Sequence, residues 1–199
     1  MRILLTAFDP FGGEAVNPAE LAVREVQFNG HTLQKLTVPT EYARCEAVLA
    51  AALDEAAPDI LLMVGQAGGR AAITPERVAI NVDDSAAADN AGEVRQNRPI
   101  SPDGPAAYFA TLPLHRIVDA VKAAGIPAAI SNSAGTFVCN HLMYTALARV
   151  KPPAIAGFVH VPFLPEQAEK RGAPSMALDD MVRALEITLA ECVEFVNSR

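Results

Sequence analysis

Five short apolar segments are spaced along the sequence, at 3–7, 33–38, 60–64, 126–130 and 154–161. Segments with helical spacing of apolar residues lie between and after them. A strand that is apolar on successive positions is typical of a parallel sheet covered on both faces. The alternation therefore predicts an α/β chain with three α/β/α layers and a mostly parallel, twisted mixed sheet.

The helical segments have recognisable ends. Asn17 and Pro18 suit the cap and first position of one helix, and Pro58 stops another that follows Thr40. The helices are expected at about 18–26, 41–56, 112–124, 139–150 and 175–197. With 199 residues, of which 51% are hydrophobic, the chain is expected to form a single domain over 1–199.

Composition excludes several classes of function. The formal net charge of −7 argues against nucleic acid and anionic membranes as partners. Three widely spaced cysteines fit a reducing compartment better than a disulfide framework, so we expect a cytoplasmic protein. No apolar stretch is long enough to span a membrane, and no Cys or His cluster suggests a metal.

The segment 131–141 predicts a sharp strand-to-helix turn that ends at Cys139, with Gly135 supplying conformational freedom. A thiol at a helix start faces unpaired backbone N–H groups and the positive end of the dipole. Such a site is expected to lower a cysteine pKa from about 8.5 toward 3.5–7.5. The alternative is that Cys139 is simply a small buried hydrophobic residue.

A thiol nucleophile needs an imidazole within reach and a third group to orient that ring. His160 ends an apolar strand at the edge where Cys139 should emerge, whereas His141 is two residues from Cys139 on one helix and cannot face it. As a strand, the segment 74–82 would place Glu76 on one face with Val78, Ile80 and Val82, so Glu76 needs a buried partner. Alternatively, His160 is structural and Glu76 turns to solvent or pairs with Arg77 or Arg70.

Two further features concern ligand binding. The loop 8–13 holds Phe8 and Phe11, which either line an apolar pocket or close the end of the core. The loop 83–105 has neither helical nor strand periodicity, and we interpret it as a mobile flap over the site.

Two long motifs resemble those of the pyroglutamyl peptidase I family, also called pyrrolidone-carboxylate peptidases. The segment 65–81 is similar to the family's glutamate signature, and 130–140 to its cysteine signature. The segments 8–13 and 160–163 match as well, and the order and length agree over essentially the whole chain. The resemblance implies a cysteine exopeptidase that removes N-terminal pyroglutamate from peptides, needs no metal or cofactor, and forms homotetramers.

The resemblance also implies the roles of single residues. Cys139 corresponds to the nucleophile, His160 to the general base and acid, and Glu76 to the residue that holds the imidazole. Backbone N–H groups at the turn, including that of Cys139, would bind the oxyanion. The residues placed around the lactam ring are Phe8, Phe11, Gln66, Phe137 and Val138.

One position departs from the family pattern. Many bacterial relatives carry an arginine where this chain has Ala86. Arg95 or Arg98 could replace it if it helps to hold the oxyanion. Two alternatives therefore stay open: a lactam-binding relative with impaired catalysis, and another thiol amidase of similar architecture, such as a glutaminase.

Overall fold

The computed structural model describes residues 1–169 and 171–199. The strands are β1 (Arg2–Phe8), β2 (Thr32–Val38), β3 (Ile60–Gln66), β4 (Thr74–Pro75), β5 (Val78–Ile80), β6 (Ala107–Phe109) and β7 (Ile155–Val161). The helices are α1 (Pro18–Glu25), α2 (Tyr42–Ala56), α3 (Leu114–Ala123), α4 (Val138–Arg149), α5 (Pro165–Glu169) and α6 (Leu178–Asn197).

A five-stranded sheet in the order β2-β1-β3-β7-β4 forms the centre of the fold. Its strands run parallel except for the short β4, which is antiparallel to β7. Strands β5 and β6 pair separately as a small antiparallel sheet. The predicted α/β class with a mostly parallel mixed sheet is thereby confirmed.

Side chains alternate between the two faces of the sheet, as the period of a strand requires. Leu5, Leu62 and Val64 pack with α1, α3 and α6 in one hydrophobic core. Leu61 and Met63, the neighbours of those β3 residues, pack with α2 and α4 in a second core on the other face. These two cores make the three layers of the fold.

Three local predictions need correction. The segment 126–130 is extended but not a strand; Ala128 pairs with Ile73 in an isolated bridge, because the adjacent β4 is only two residues long. The last helix begins at Leu178, since Ser175 pairs instead with Phe163. The short helix α5 was not predicted.

The segment that carries Glu76 was predicted as one continuous strand, which is wrong. It is divided into β4 and β5, and Ala79 rather than Val78 or Ile80 is buried in β5. Glu76 is nevertheless fully buried, because its backbone N–H binds Phe158 O at 2.9 Å and turns the residue toward β7.

No helix in the described part of the chain combines the length and apolar character that crossing a bilayer requires.

Candidate active site

His160 and Glu76 form a buried pair at the end of β7. The His160 Nδ1 lies 2.7 Å from Glu76 Oε1, and both residues are nearly inaccessible to solvent. Arg70 donates from Nη1 to the same carboxylate oxygen, at 2.6 Å. We call Arg70, Glu76 and His160 the cleft cluster. A buried carboxylate requires such compensation, because its desolvation is costly.

Cys139 lies in the first turn of α4, against the end of β3. A Cβ atom on Gly65 would lie 3.2 Å from the Cys139 sulfur and 2.7 Å from the Phe158 ring, so only glycine allows this approach. In the sheet register Gly65 is the neighbour of His160. The thiol and the imidazole therefore face the same end of the β3–β7 strand pair, and Gly135 has the positive φ of 78° that the turn before α4 was predicted to need.

The two residues after Cys139 fix the start of α4 to the chain that follows β5. The Asn140 amide donates to Ile80 O at 2.9 Å and Val82 O at 3.0 Å, and accepts from Ile80 N. The His141 Nδ1 lies 2.9 Å from Asp83 Oδ2, so this imidazole does not serve Cys139, as the sequence predicted. These buried contacts hold Cys139 in place at the start of α4.

A cleft of about 380 Å³ opens beside Cys139 and His160. Phe11 and Phe137 form one aromatic part of its wall, with ring centroids 6.2 Å apart. The other residues that line it are Gln66, Ala67, Gly68, Arg70, Ala134, Gly135 and Phe163. The arrangement is an apolar pocket with a few polar groups, as small-ligand sites usually are.

Phe8 and Val138 lie behind this wall and not in the lining. Phe8 is buried against Phe158, with ring centroids 6.4 Å apart, and Val138 is fully buried in the same core. Contact of these two side chains with a ligand in the cleft is not supported by this placement. The sequence could not separate them from Phe11 and Phe137, because all four follow or begin an element at the same edge.

Gln66 offers a hydrogen-bond donor to the cleft. Gln66 lines the cleft, and its Oε1 accepts from Gln167 Nε2 at 3.2 Å, so its amide NH₂ group is not used in that hydrogen bond. Gln167 is itself buried and also reaches Glu14 and Val16 O, both at 3.4 Å. The side chain of Gln66 is thus oriented by a second residue.

The pKa values of the site differ from the expectation for a helix-start thiol. Burial, and to a smaller extent the Glu76 charge, raise the pKa of Cys139 to about 12, although Arg70 and the Cys139 backbone N–H act in the opposite direction. The predicted lowering of the Cys139 pKa is therefore wrong. Burial lowers the pKa of His160, and Arg70 lowers it too, although Glu76 acts in the opposite direction. The resting pair is a neutral thiol and a neutral imidazole.

The carboxylate keeps its charge. Burial by itself would raise the pKa of Glu76, but the hydrogen bond and charge of His160, followed by Ser131 and Arg70, hold it below its ordinary value. An anionic Glu76 fixes the proton of His160 on Nδ1 and leaves Nε2 as the acceptor.

The thiol makes no hydrogen bond to His160 within the described residues, and such contacts often tighten only when substrate binds. The backbone N–H groups of Val138 and Cys139 precede His141 N, the first donor of α4, which binds Phe137 O. Neither makes a hydrogen bond to another residue of the described chain, and the Cys139 N–H lies toward its own sulfur. They are available to bind an oxyanion.

Hydrogen bonds and ion pairs attach the loop 83–105 to neighbouring segments. Asp84 N donates to Thr136 O at 2.9 Å, next to the cleft wall. Arg95 binds Asp83 and stacks on the Tyr42 ring at 4.3 Å, and Arg98 is mostly exposed, so neither lines the cleft among the described residues. The mobile flap stays a prediction. No three described His, Cys, Asp or Glu side chains group as a metal site.

The sequence did not predict that the side chains of Arg70 and Phe163 line the cleft. Arg70 lies six positions before Glu76 in a glycine-rich loop, and it was considered only as a partner of Glu76 in the alternative without a functional role. An arginine close in sequence to a carboxylate that must be buried was the signal that could have identified it.

A buried imidazole–carboxylate pair beside a cysteine at a helix start, on an α/β sheet, defines the class of thiol hydrolases with a Cys-His-Glu site. The family model described as pyroglutamyl peptidase matches residues 1–194. The chain belongs to the pyroglutamyl peptidase family.

Individual relatives agree with this assignment. Over 98% of its length the chain is 48% identical to the pyrrolidone-carboxylate peptidase of Streptococcus pyogenes, 94% of which is covered. The Levilactobacillus brevis protein of the same name is 49% identical over 93% of this chain and 94% of its own.

Solved structures match as well. The pyroglutamyl peptidase I of Bacillus amyloliquefaciens superimposes with a TM-score of 0.91 at 45% identity, covering 96% of both chains. A mutant pyrrolidone carboxyl peptidase from Pyrococcus furiosus gives a TM-score of 0.94 at 37% identity, covering 98% of this chain and 100% of the other.

Proposed function

We propose that this protein is a cysteine exopeptidase that releases N-terminal pyroglutamate from peptides through a thioester acyl-enzyme. The observation that carries the proposal is the Glu76–His160 pair at the cleft that Cys139 also lines. Cys139 attacks the carbonyl carbon between the lactam residue and the next amino acid, and His160 Nε2 takes the thiol proton. Because the resting thiol is neutral, this proton transfer accompanies the attack.

The remaining steps use the same groups. The backbone N–H groups of Val138 and Cys139 bind the oxyanion of the tetrahedral intermediate. His160 gives its proton to the leaving amine, and the C–N bond breaks to leave the thioester. Water then attacks the thioester while His160 accepts its proton, and free pyroglutamate leaves as the Cys139 thiol is restored.

Specificity follows from the lining of the cleft. Pyroglutamate is small, flat and uncharged, with a ring carbonyl that accepts hydrogen bonds. Phe11 and Phe137 supply apolar walls, and the Gln66 NH₂ group supplies a donor for the ring carbonyl. An N-terminal proline lacks that carbonyl and carries a charged amine, so it would leave Gln66 unpaired and bury a charge.

Hydrolysis of a pyroglutamyl amide by the purified, reduced protein tests the proposal. We expect release of free pyroglutamate, abolished by Cys139→Ala and retained in Cys45→Ala and Cys192→Ala, since these two thiols are buried away from the cleft. Glutamine and prolyl amides serve as competing substrates. Tight binding without turnover would select the impaired lactam-binding alternative, and preferential turnover of glutamine would select an amidase.

We further propose that the chain acts as one domain, over residues 1–199, in a homo-oligomer, which by family resemblance is a tetramer. In support, one sheet is covered on both faces, and Phe109 of β6 is 68% exposed although it is large and apolar. The apolar residues of α6 pack in the core and are not available for such an interface. Light scattering of the eluting protein should give four times the chain mass; a monomer would contradict this.

We also propose a cytoplasmic location, which three free thiols support because a reducing compartment preserves them. Fractionation of cells that carry the tagged protein tests it, and recovery in the secreted or membrane fraction would contradict it.

A further inference from the structure

We propose that Arg70 is a positioning residue of the active site, which neutralises Glu76 so that His160 stays an unprotonated base beside Cys139. This inference rests on the proposed function and goes beyond it, because it assigns a role to a residue outside the cysteine, histidine and glutamate set.

Arg70 joins three parts of the site. Its Nη1 donates at 2.6 Å to Glu76 Oε1 and at 2.6 Å to the Thr74 hydroxyl, which in turn donates to the His160 carbonyl oxygen at 3.4 Å. Its Nη2 lies 3.3 Å from Ser133 O, in the turn that leads to the nucleophile. A planar guanidinium with several fixed donors suits this bridging, and the point charge of a lysine does not reproduce it.

The charges of the cleft explain why the bridge has a chemical role. Arg70 is the one positively charged side chain among the described residues that line the cleft. With Glu76 anionic, Arg70 cationic and His160 neutral, the resting site has no net charge. Moving the proton from Cys139 to His160 creates one negative and one positive charge, so the site stays neutral throughout the step.

Without Arg70 the balance changes. The buried Glu76 carboxylate would then keep only the uncharged Ser131 side chain and His160, and protonation of His160 would supply its one positive partner, because an uncompensated buried charge is costly. A protonated imidazole cannot accept the thiol proton. The groups that face His160 are Glu76, Arg70 and, across the cleft, Cys139, so Arg70 is the positive group available to prevent this protonation within the described chain.

The shared oxygen supports the same conclusion. His160 and Arg70 both bind Oε1 of Glu76, whereas Oε2 is buried with no hydrogen-bond partner. The two donors are therefore coupled through a single atom. A change of Arg70 alters both the position and the charge that Glu76 presents to His160.

The test compares Arg70→Gln and Arg70→Lys with Arg77→Gln. Arg77 is a matched control, because its Nε binds Asn132 at 2.7 Å in the same turn but it makes no contact with the described Glu76 side chain. We measure kcat, KM and the pH profile of kcat/KM on a pyroglutamyl amide, together with the melting temperature.

In Arg70→Gln we expect kcat to fall on the order of 10²-fold with KM changed far less, as for a misplaced catalytic group. The acid limb of the profile, which reports His160, should move to higher pH. Arg70→Lys should keep the acid limb near its wild-type position and regain part of kcat, and Arg77→Gln should resemble wild type in both readouts.

The inference would be overturned if Arg70→Gln had the same kcat and the same acid limb as the wild-type protein. The proposed function would be unaffected, because the wild-type protein would still turn over the substrate. An equal loss of kcat in Arg77→Gln would also overturn the inference, since contact of an arginine with the turn before Cys139 would then explain the effect without Glu76. If Arg70→Gln does not fold, Arg70→Lys decides: full wild-type kcat in a folded Lys variant overturns the proposal. Absence of turnover in wild type would instead refute the proposed function.

Discussion

Among the residues that the structure describes are two buried histidine–carboxylate–arginine clusters of nearly the same construction. The second, which we call the loop cluster, consists of His141, Asp83 and Arg95. Its carboxylate oxygen Oδ2 lies 2.9 Å from His141 Nδ1 and 2.8 Å from Arg95 Nη1, and the other oxygen is buried without a partner. The cleft cluster has the same sharing of one oxygen and the same unpartnered second oxygen.

The two clusters differ in what the far side of the imidazole faces. His160 lines a cleft that also contains a thiol. His141 Nε2 is buried without a hydrogen bond, 3.9 Å from Glu46 Oε2, and the ring packs edge-on against Tyr42 at 5.5 Å. Arg95 is also more enclosed than Arg70, with 11% against 31% of the side chain exposed. In the proposed mechanism the cleft cluster supplies the catalytic base, whereas the loop cluster attaches the loop 83–105 to α4. Access to the Cys139 thiol distinguishes the two.

We expect the largest effect on kcat/KM when His160 and His141 are substituted in turn. His160→Gln is expected to lower kcat/KM by about 10²–10⁴-fold, because it removes the general base and acid. His141→Gln should keep kcat/KM within about 10-fold of wild type, since this ring does not face Cys139. Steady-state kinetics on folded, purified variants checks both; comparable losses in the two variants would break the distinction.

The loop cluster should matter for stability instead. Asp83→Asn leaves Arg95 and His141 without the carboxylate that they share, and breaking such a buried pair typically costs about 3–5 kcal/mol. Urea denaturation measures the loss, and Asp54→Asn on the exposed side of α2 is the control, expected to change stability by less than about 0.5 kcal/mol. An Asp83→Asn variant as stable as this control would contradict the structural role.

The cleft cluster should make stability depend on pH. The folded pKa of His160 is lowered, so its contribution is complete above the unfolded value of about 6.5 and is lost as the pH falls through the folded value. The lowered pKa of Glu76 acts with the same sign below about 4.3. Denaturation at a series of pH values should show that the free energy of unfolding of the wild type falls below about pH 6.5. The fall over the same range should be smaller in His160→Gln, and an equal fall in both proteins would be inconsistent with the lowered pKa.

The smallest effect concerns the residue between the two clusters. Tyr42 packs edge-on against both His141 and Phe137 of the cleft wall, and its hydroxyl is buried without a partner. Tyr42→Phe removes an unsatisfied polar group and keeps the ring, so it should stabilise the protein by about 1 kcal/mol with unchanged KM. Destabilisation by a similar amount would mean that the hydroxyl is bound in solution.

The sequence predicted most of the sheet because its strands are apolar on successive positions, a pattern that few other structures produce. It predicted Cys139 and His160 as site residues because Cys139 ends the turn after one apolar segment and His160 lies at the end of another. Glu76 was found through an incorrect strand phase: its pairing with Ser131 and its hydrogen bond to Phe158 of β7, and not alternation with Val78, account for its burial. The loop cluster was not foreseen, since His141 and Asp83 lie far apart in sequence and no periodicity links them.

The prediction of a lowered Cys139 pKa was wrong for a related reason. A helix start can be read from the sequence, but the burial of the sulfur against Gly65 and Phe158 depends on how α4 docks on the sheet. The increase in the Cys139 pKa that burial causes is larger than the decrease that the helix terminus causes.

Mass spectrometry of the protein quenched with acid during the first turnover of an activated pyroglutamyl ester tests the central claim most directly. The account predicts one pyroglutamyl group on the peptide that contains Cys139, formed in wild type and in His141→Gln but far more slowly in His160→Gln. Product released at the wild-type rate with no such label, or a label on Cys45 or Cys192 instead, would contradict it.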